Sequence, residues 1–165
     1  MDINDCIYQR RSIRFYKSEV PSQALIMKIL ETSIWAPSGK NLQPWKLKIL
    51  RDHETIKIIS DLCEQSRFVG KAPCSIIIFL DKNKSYNYIK DIQACGMLMQ
   101  NIMLTAFSEG LGTCLIGELI EKGEEVKNIL NLTDGALELM GVITIGYPRV
   151  NTQMASRKSL SEFLL

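Results

Sequence analysis

No stretch of this chain is long and apolar enough to cross a membrane. Its longest such runs, of which Ser75–Leu80 (SIIIFL) is typical, fall well short of the roughly 20 residues a span needs. The opening MDINDCIYQRR has no basic region followed by an apolar run, so no signal peptide is expected. Charge of one sign is also missing: 20 basic residues face 18 acidic ones, a net +2, too even for the concentrated basic stripe of a nucleic-acid binder. The five cysteines, Cys6, Cys63, Cys74, Cys95 and Cys114, are odd in number and show no C-x-x-C spacing. That argues against a zinc site, an iron–sulfur cluster or a disulfide framework, and for reduced, mostly buried thiols in a cytoplasmic protein. Histidine occurs once, as His53 between Asp52 and Glu54, an expected surface position at a helix start. One histidine with no ordered nucleophile partner argues against triad hydrolysis.

Phosphate loops are absent in their usual forms. There is no G-x-x-x-x-G-K-[ST], and Gly39-Lys40 lacks the earlier glycine. The run GLGTCLIG at Gly110–Gly117 misses the dinucleotide fingerprint spacing and leads into a strand instead of opening a helix. Asp91, Glu109, Glu118 and Glu138 are scattered without a motif. A chain with no evident side-chain catalyst fits a protein whose chemistry is carried by a bound cofactor.

What is present is one domain of 165 residues, 46% apolar and 23% charged, without internal repeat or linker. Residues 2–10 read as a short helix with Ile3, Cys6 and Ile7 on one face, and Ser22 as the N-cap of a helix reaching Trp35, stopped ahead of Pro37. Lys46–Leu50 alternates as a half-wet strand, Thr55–Cys63 reads as a helix, and Ser75–Leu80 as a central strand. The longest helical pattern, 88–108, is apolar on more than one side and stops at Gly110; such a helix is the centre of a domain or is shared with a partner. Thr113–Ile116 is a short strand, Glu118–Leu130 a helix, and Leu139–Ile145 the last strand, followed by a polar tail. The helix after Gly117 is expected to bring its positive dipole end to the Ile116 and Gly117 amides. The expected fold is α+β, a three-layer arrangement of helices about a central mixed, mainly antiparallel sheet.

Two stretches carry chemistry. WAPSGKNLQPW (Trp35–Trp45) has two prolines, one glycine and small polar side chains, and reads either as a plain polar loop or as a backbone shaped to present amides and carbonyls. RRSIR (Arg10–Arg14) reads either as a solvated basic surface or as a phosphate site built of bidentate guanidinium donors.

Taken in order, RRSIR, WAPSGKNLQPW, GLGTCLIG, GYP (Gly146–Pro148) and a late Arg157-Lys158 before leucine resemble the FMN-dependent nitroreductase family from Arg10 to about Leu160. The resemblance implies an interlocked homodimer with FMN at the subunit interface. It implies ping-pong transfer of a hydride from NADH or NADPH, via flavin N5, to a nitroaromatic, quinone or similar acceptor. By position, Arg10, Arg11, Ser12 and Arg14 would hold the phosphate and ribityl chain, with Arg14 also near the pyrimidine end. Pro37, Ser38 and Asn41 would line the flavin from the partner subunit. Ile116 and Gly117 would run along the ring with a backbone amide facing N5. Arg157 would return from a tail docked on the partner to the phosphate, and helix 88–108 would form the dimer core. No metal, nucleic acid or membrane is implied. The departures are Ile116, acidic in some relatives, Ser159 in place of a second basic residue or proline, and the short 81–87 connection, which leaves no room for the helical cover of larger members. An open site with loose acceptor specificity is the expected consequence. A flavin-binding carrier or sensor with little turnover, and a plain interaction domain with a basic loop, are the competing readings.

Overall fold

The computed structural model describes residues 2–64, 67–150 and 155–165. Among them are helices α1 (Ile3–Gln9), α2 (Gln23–Ser33), α3 (His53–Ser60), α4 (Tyr88–Ser108) and α5 (Gly123–Ile129), and strands β1 (Trp45–Leu50), β2 (Cys74–Asp81), β3 (Gly112–Ile116) and β4 (Leu137–Gly146). The strands form one sheet in the order β1-β2-β4-β3, every neighbouring pair antiparallel. The mixed character expected of the sheet is confined to an isolated parallel bridge between Ser12 and Thr113.

β2 explains the layering. It is buried along its whole length, and its side chains alternate. Cys74, Ile76, Ile78 and Leu80 join α2 and α4 in one core, while Ile77 and Phe79 join α3 and α5 in the other. A strand covered on both faces has no use for polar residues, hence the unbroken SIIIFL run. β4 changes phase at a bulge opposite Ile78 and Phe79, so that Leu139 and Val142 both reach the α3/α5 core.

The helix ends follow their local chemistry. Ser22, Asp52 and Asn87 cap α2, α3 and α4 by accepting from Leu25, Thr55 and Lys90 amides. The Asp52 cap starts α3 two residues earlier than its apolar pattern suggests. α4 ends in paired bonds from Gly110 N to Phe107 O (3.0 Å) and Leu111 N to Ala106 O (2.9 Å), with Gly110 at φ 78°. That geometry satisfies the last carbonyls and favours glycine. α4 buries Ala94, Cys95, Leu98, Ile102 and Ala106 against the sheet and leaves Ile89, Ile92 and Met97 exposed.

Two expectations are corrected. The 118–130 segment is not one helix: a single 3-10 turn at Ile120–Lys122 precedes α5, which starts only at Gly123. Glycine is a poor interior helix residue, and here a Cβ would sit 3.2 Å from Leu139 Cβ, so the helix begins at Gly123. No helix N-terminus therefore reaches Ile116 and Gly117, and the expected dipole contribution is absent. α1 buries Cys6 alone, while Ile3 and Ile7 stay exposed. No helix among the described residues is long and apolar enough to cross a membrane.

The segment after α1 is pinned to the sheet by main-chain bonds, Ile13 N to Thr113 O (2.8 Å), Lys17 N to Tyr147 O (2.9 Å) and Arg149 N to Phe15 O (3.0 Å). Between them the buried Tyr16 hydroxyl bonds Ile13 O (2.6 Å) and Thr144 Oγ1 (2.8 Å), and Thr144 Oγ1 reaches Cys114 O (3.3 Å). Burial pushes the Tyr16 phenol well above its ordinary value, so it stays a neutral donor. Tyr16→Phe is expected to cost about 1–3 kcal/mol, because buried partners lose their hydrogen bond. Urea unfolding monitored by circular dichroism checks this.

Candidate functional site

The pinned segment delivers the arginines. Arg10 is the C-cap of α1, and Arg10, Arg11 and Ser12 are half-buried beside the start of β3, through the Ser12–Thr113 bridge. Gly112 makes this approach possible, since a Cβ there would lie 2.5 Å from Ile13 Cγ1 and 2.8 Å from Ile13 Cβ. Burial, then the guanidiniums of Arg11 and Arg157, hold Arg10 below its ordinary pKa. Arg157, from the otherwise exposed 155–165 segment, thus stands within electrostatic reach of Arg10.

Arg11 and Arg157 both act electrostatically on Arg10, and among the described residues none of the three forms an ion pair with a carboxylate. Arg11 spends Nη1 on the carbonyls of Tyr8 (2.8 Å) and Arg10 (2.6 Å), while its Nε is buried without a partner. Thr113 Oγ1, across the bridge, is likewise buried and unpartnered. Uncompensated cations and orphaned polar atoms at one spot are costly unless an anion arrives. Arg14, further along, is exposed and lies over the Phe68 ring at 5.6 Å. Burial raises the Cys114 thiol, and Arg14, a hydrogen bond from Ser12 and Arg10 pull it part-way back.

At the far end of β3, Ile116 is buried in the α3/α5 core, leaving only its backbone available. Gly117 is exposed, and nothing stands within 4 Å of where its Cβ would be. β3 thus runs from a cation cluster at one end to open backbone at the other.

The 37–43 loop is shaped as its composition suggests. Lys40, Asn41 and Gln43 all take positive φ (54°, 55° and 48°), an unusual run for non-glycine residues. Ser38 Oγ accepts from Gln43 N (3.0 Å), and Gln43 Nε2 donates to Asn41 O (3.1 Å) and Oδ1 (3.3 Å). Pro37 and Asn41 are exposed and Ser38 half-buried.

The two halves do not meet within one chain. The loop feeds β1 where Trp45 faces Leu80, at the C-terminal end of β2. The arginines sit by Gly112, Thr113 and Gly146, level with Cys74 at its N-terminal end. β2 separates them by roughly 23 Å, at the rise of an extended strand, and β1 and β3 are opposite edges of the sheet. Sequence reasoning gave no role to Phe68, Tyr86 or Cys114. Tyr86 packs its ring on Gly39, where a Cβ would lie 2.3 Å from the phenol oxygen, a contact that no local pattern announces.

The nitroreductase family model matches residues 7–66 and 63–147, and so takes in the arginine segment, the 37–43 loop and β3. The chain belongs to the nitroreductase family. A relative in Archaeoglobus fulgidus, provisionally named NADH dehydrogenase/NAD(P)H nitroreductase, is 32% identical over 146 residues, 87% of this chain and 83% of that protein. The Bacillus subtilis protein named FMN reductase [NAD(P)H] is 27% identical over 84% of this chain and 62% of its own. The crystal structure of a provisionally named nitroreductase from Desulfovibrio desulfuricans in complex with FMN superposes with a TM-score of 0.94 at 36% identity, covering 100% of this chain and 96% of that one. The three-layer fold is that of the family.

Gly112→Ala should destabilise by about 1–3 kcal/mol, because the rigid Cβ end of Ile13 blocks the new methyl. Gly39→Ala should cost less, since the Tyr86 ring tip can swing away; the two urea midpoints make the comparison. All five thiols are free and buried, and burial pushes Cys63, Cys74 and Cys95 each to about 11. Native protein at pH 8 should therefore react slowly with a thiol reagent, and urea-unfolded protein should yield all five.

Proposed function

We propose that this nitroreductase-family chain is an FMN-dependent oxidoreductase that takes reducing equivalents from NADH or NADPH. In a ping-pong cycle it passes them to a nitroaromatic, quinone or similar acceptor. The observation that carries this reading is the Arg10, Arg11 and Arg157 cluster beside β3, half-buried in part and without a carboxylate. Three converging guanidiniums fit a dianionic phosphomonoester better than any neutral ligand. The FMN-bound structure with the same fold supports FMN as that phosphomonoester.

In this reading Arg10, Arg11, Ser12 and Arg157 hold the phosphate and the adjoining polyol, and the orphaned Arg11 Nε finds its acceptor there. Arg14 supplies positive charge near the pyrimidine end, and the exposed backbone at Gly117 leaves room for a flat ring to lie against β3. When bound, the flavin supplies two-electron hydride chemistry. The protein's part is to bind, orient and stabilise developing negative charge, and the backbone amides at 116 and 117 do so without help from a helix dipole.

Pro37, Ser38 and Asn41 line the same ligand only from a second copy of the chain, because the two half-sites of one copy lie at opposite ends of the sheet. A homodimer also gives cover to the apolar residues left bare, Ile3, Ile7 and Tyr8 on α1, Ile89, Ile92 and Met97 on α4, Trp35 at 87% exposure, and Leu160, Phe163 and Leu164. The 155–165 segment, exposed throughout, is the arm that docks on that partner. Between β2 and α4 there is only a single 3-10 turn, Lys82–Lys84, so no helix closes over the site. An open rim predicts loose discrimination among acceptor ring systems; a steep preference for one of several unrelated acceptors would contradict it.

The first test is the visible spectrum of the purified protein under anaerobic NADH or NADPH. A yellow protein that bleaches and recovers its colour with a quinone or nitroaromatic supports the reductase reading; one that stays yellow indicates a carrier or sensor. Arg14→Ala should retain less FMN, and unchanged flavin content would sink its assigned role. FMN added at 100 times its Kd should stabilise the apoprotein by about 2.7 kcal/mol.

A further inference from the structure

The rim of the 37–43 loop holds a second group of donors without an acceptor. Lys40 projects its ammonium over the face of Tyr86, 4.8 Å from the ring centroid, and Lys90, on the first turn of α4, approaches the same ring at 5.7 Å. Neither lysine forms an ion pair with a carboxylate among the described residues, and the Tyr86 hydroxyl makes no hydrogen bond there. The adjoining turn adds Lys82 and Lys84, also without carboxylate partners. All four lysines are exposed.

The arrangement is held in place from beneath. Asp91, fully buried, accepts from Ser85 Oγ (2.7 Å), Tyr86 N (3.1 Å) and Asn87 N (3.1 Å) through Oδ2. Oδ2 is satisfied by these donors and the carboxylate lies in the first turn of α4, while Oδ1 is buried without a partner. The Tyr86 backbone is thereby held beside Gly39, its ring packs on that glycine and under the Lys40 ammonium, and the Lys40 backbone is already committed to positive φ. Two ammoniums and a phenol, preset around one ring and unneutralised, attract a carboxylate or phosphate oxygen.

We propose that Lys40, Tyr86 and Lys90 form an oxyanion-reading clamp for the substrate that enters the open site. This rests on the reading of the 37–43 loop as flavin-lining, since that places Lys40 between two cofactor neighbours. The oxyanion belongs either to an acidic acceptor or to the 2′-phosphate that NADPH carries and NADH lacks. The clamp sets charge preference and leaves ring selectivity loose.

The test uses FMN-loaded protein, with flavin content recorded first, so that absence of bound flavin would overturn the cofactor reading separately from the clamp. The Kd values of benzoate and benzamide, two inert probes of the acceptor position, are measured by calorimetry at low ionic strength. The KM ratio of NADPH to NADH is measured in parallel. Wild type should favour one anionic probe roughly three- to ten-fold, the advantage shrinking with salt. Lys40→Gln and Lys90→Gln should each reduce it about three-fold, whereas Lys57→Gln on the outer side of α3, an equal loss of charge, should not. Loss confined to benzoate assigns the clamp to the acceptor, and loss confined to NADPH assigns it to the dinucleotide. Equal Kd values for benzoate and benzamide, together with an NADPH-to-NADH KM ratio that neither lysine variant changes, with flavin bound, would overturn the proposal.

Discussion

The interaction on which this structure depends is the seating of one short segment, Arg10 to Lys17, along the end of a finished sheet. Main-chain bonds to Thr113 and Tyr147, and the Tyr16–Thr144–Cys114 chain of hydrogen bonds, hold it there. Like-charged guanidiniums left to themselves would separate into water, where they are well solvated and screened. Backbone bonds at fixed positions prevent that. They force Arg10 and Arg11 into a half-buried corner and bring Arg10 within reach of Arg157, with the result that Arg10 is held below its ordinary pKa. Burial and mutual repulsion at this corner are a stability cost, which the proposed phosphate would relieve. On that proposal, binding and folding are coupled at this corner.

A second constraint is the length of β2. A fully buried eight-residue strand keeps the arginines and the 37–43 loop at opposite ends of the sheet. No local rearrangement closes that distance without unmaking the two cores. A ligand that needs both elements must find the second on another copy. In the proposed dimer, the assembly that completes the site would also cover the bare apolar residues on α1, α4 and the 155–165 segment. On that proposal, site and oligomer are one requirement.

The layered fold was legible because its signals are local. SIIIFL announces a strand buried on both faces, and Ser22 at the start of α2 and Gly110 at the close of α4 punctuate the helices, whereas the Asp52 and Asn87 caps emerge only in the structure. The helix misread over 118–130 had a visible warning in Gly123, whose need for glycine comes from Leu139. The loop and the arginines could be picked out by residue type, but their assembly could not. Gly112 facing Ile13, and Tyr86 facing Gly39, join residues 47 to 99 apart in the chain. Such contacts are consequences of topology and leave no periodic trace.

The strain in the 37–43 loop bears on how selectivity arises. Three non-glycine residues at positive φ each cost about 1–2 kcal/mol, which the Ser38–Gln43–Asn41 hydrogen bonds and the Tyr86 contact offset in part. A loop that stores strain and is braced from outside is already in one conformation before a ligand arrives. Such a loop does not discriminate by closing, and the single 3-10 turn above it offers no lid that could. In the proposed site, discrimination among ligands falls to the charges at the rim, where Lys40 and Lys90 are exposed while Asp91 is fully buried and accepts from Ser85, Tyr86 and Asn87 through Oδ2. Preorganisation and charge thus take over the role that a mobile cover plays in an enclosed site.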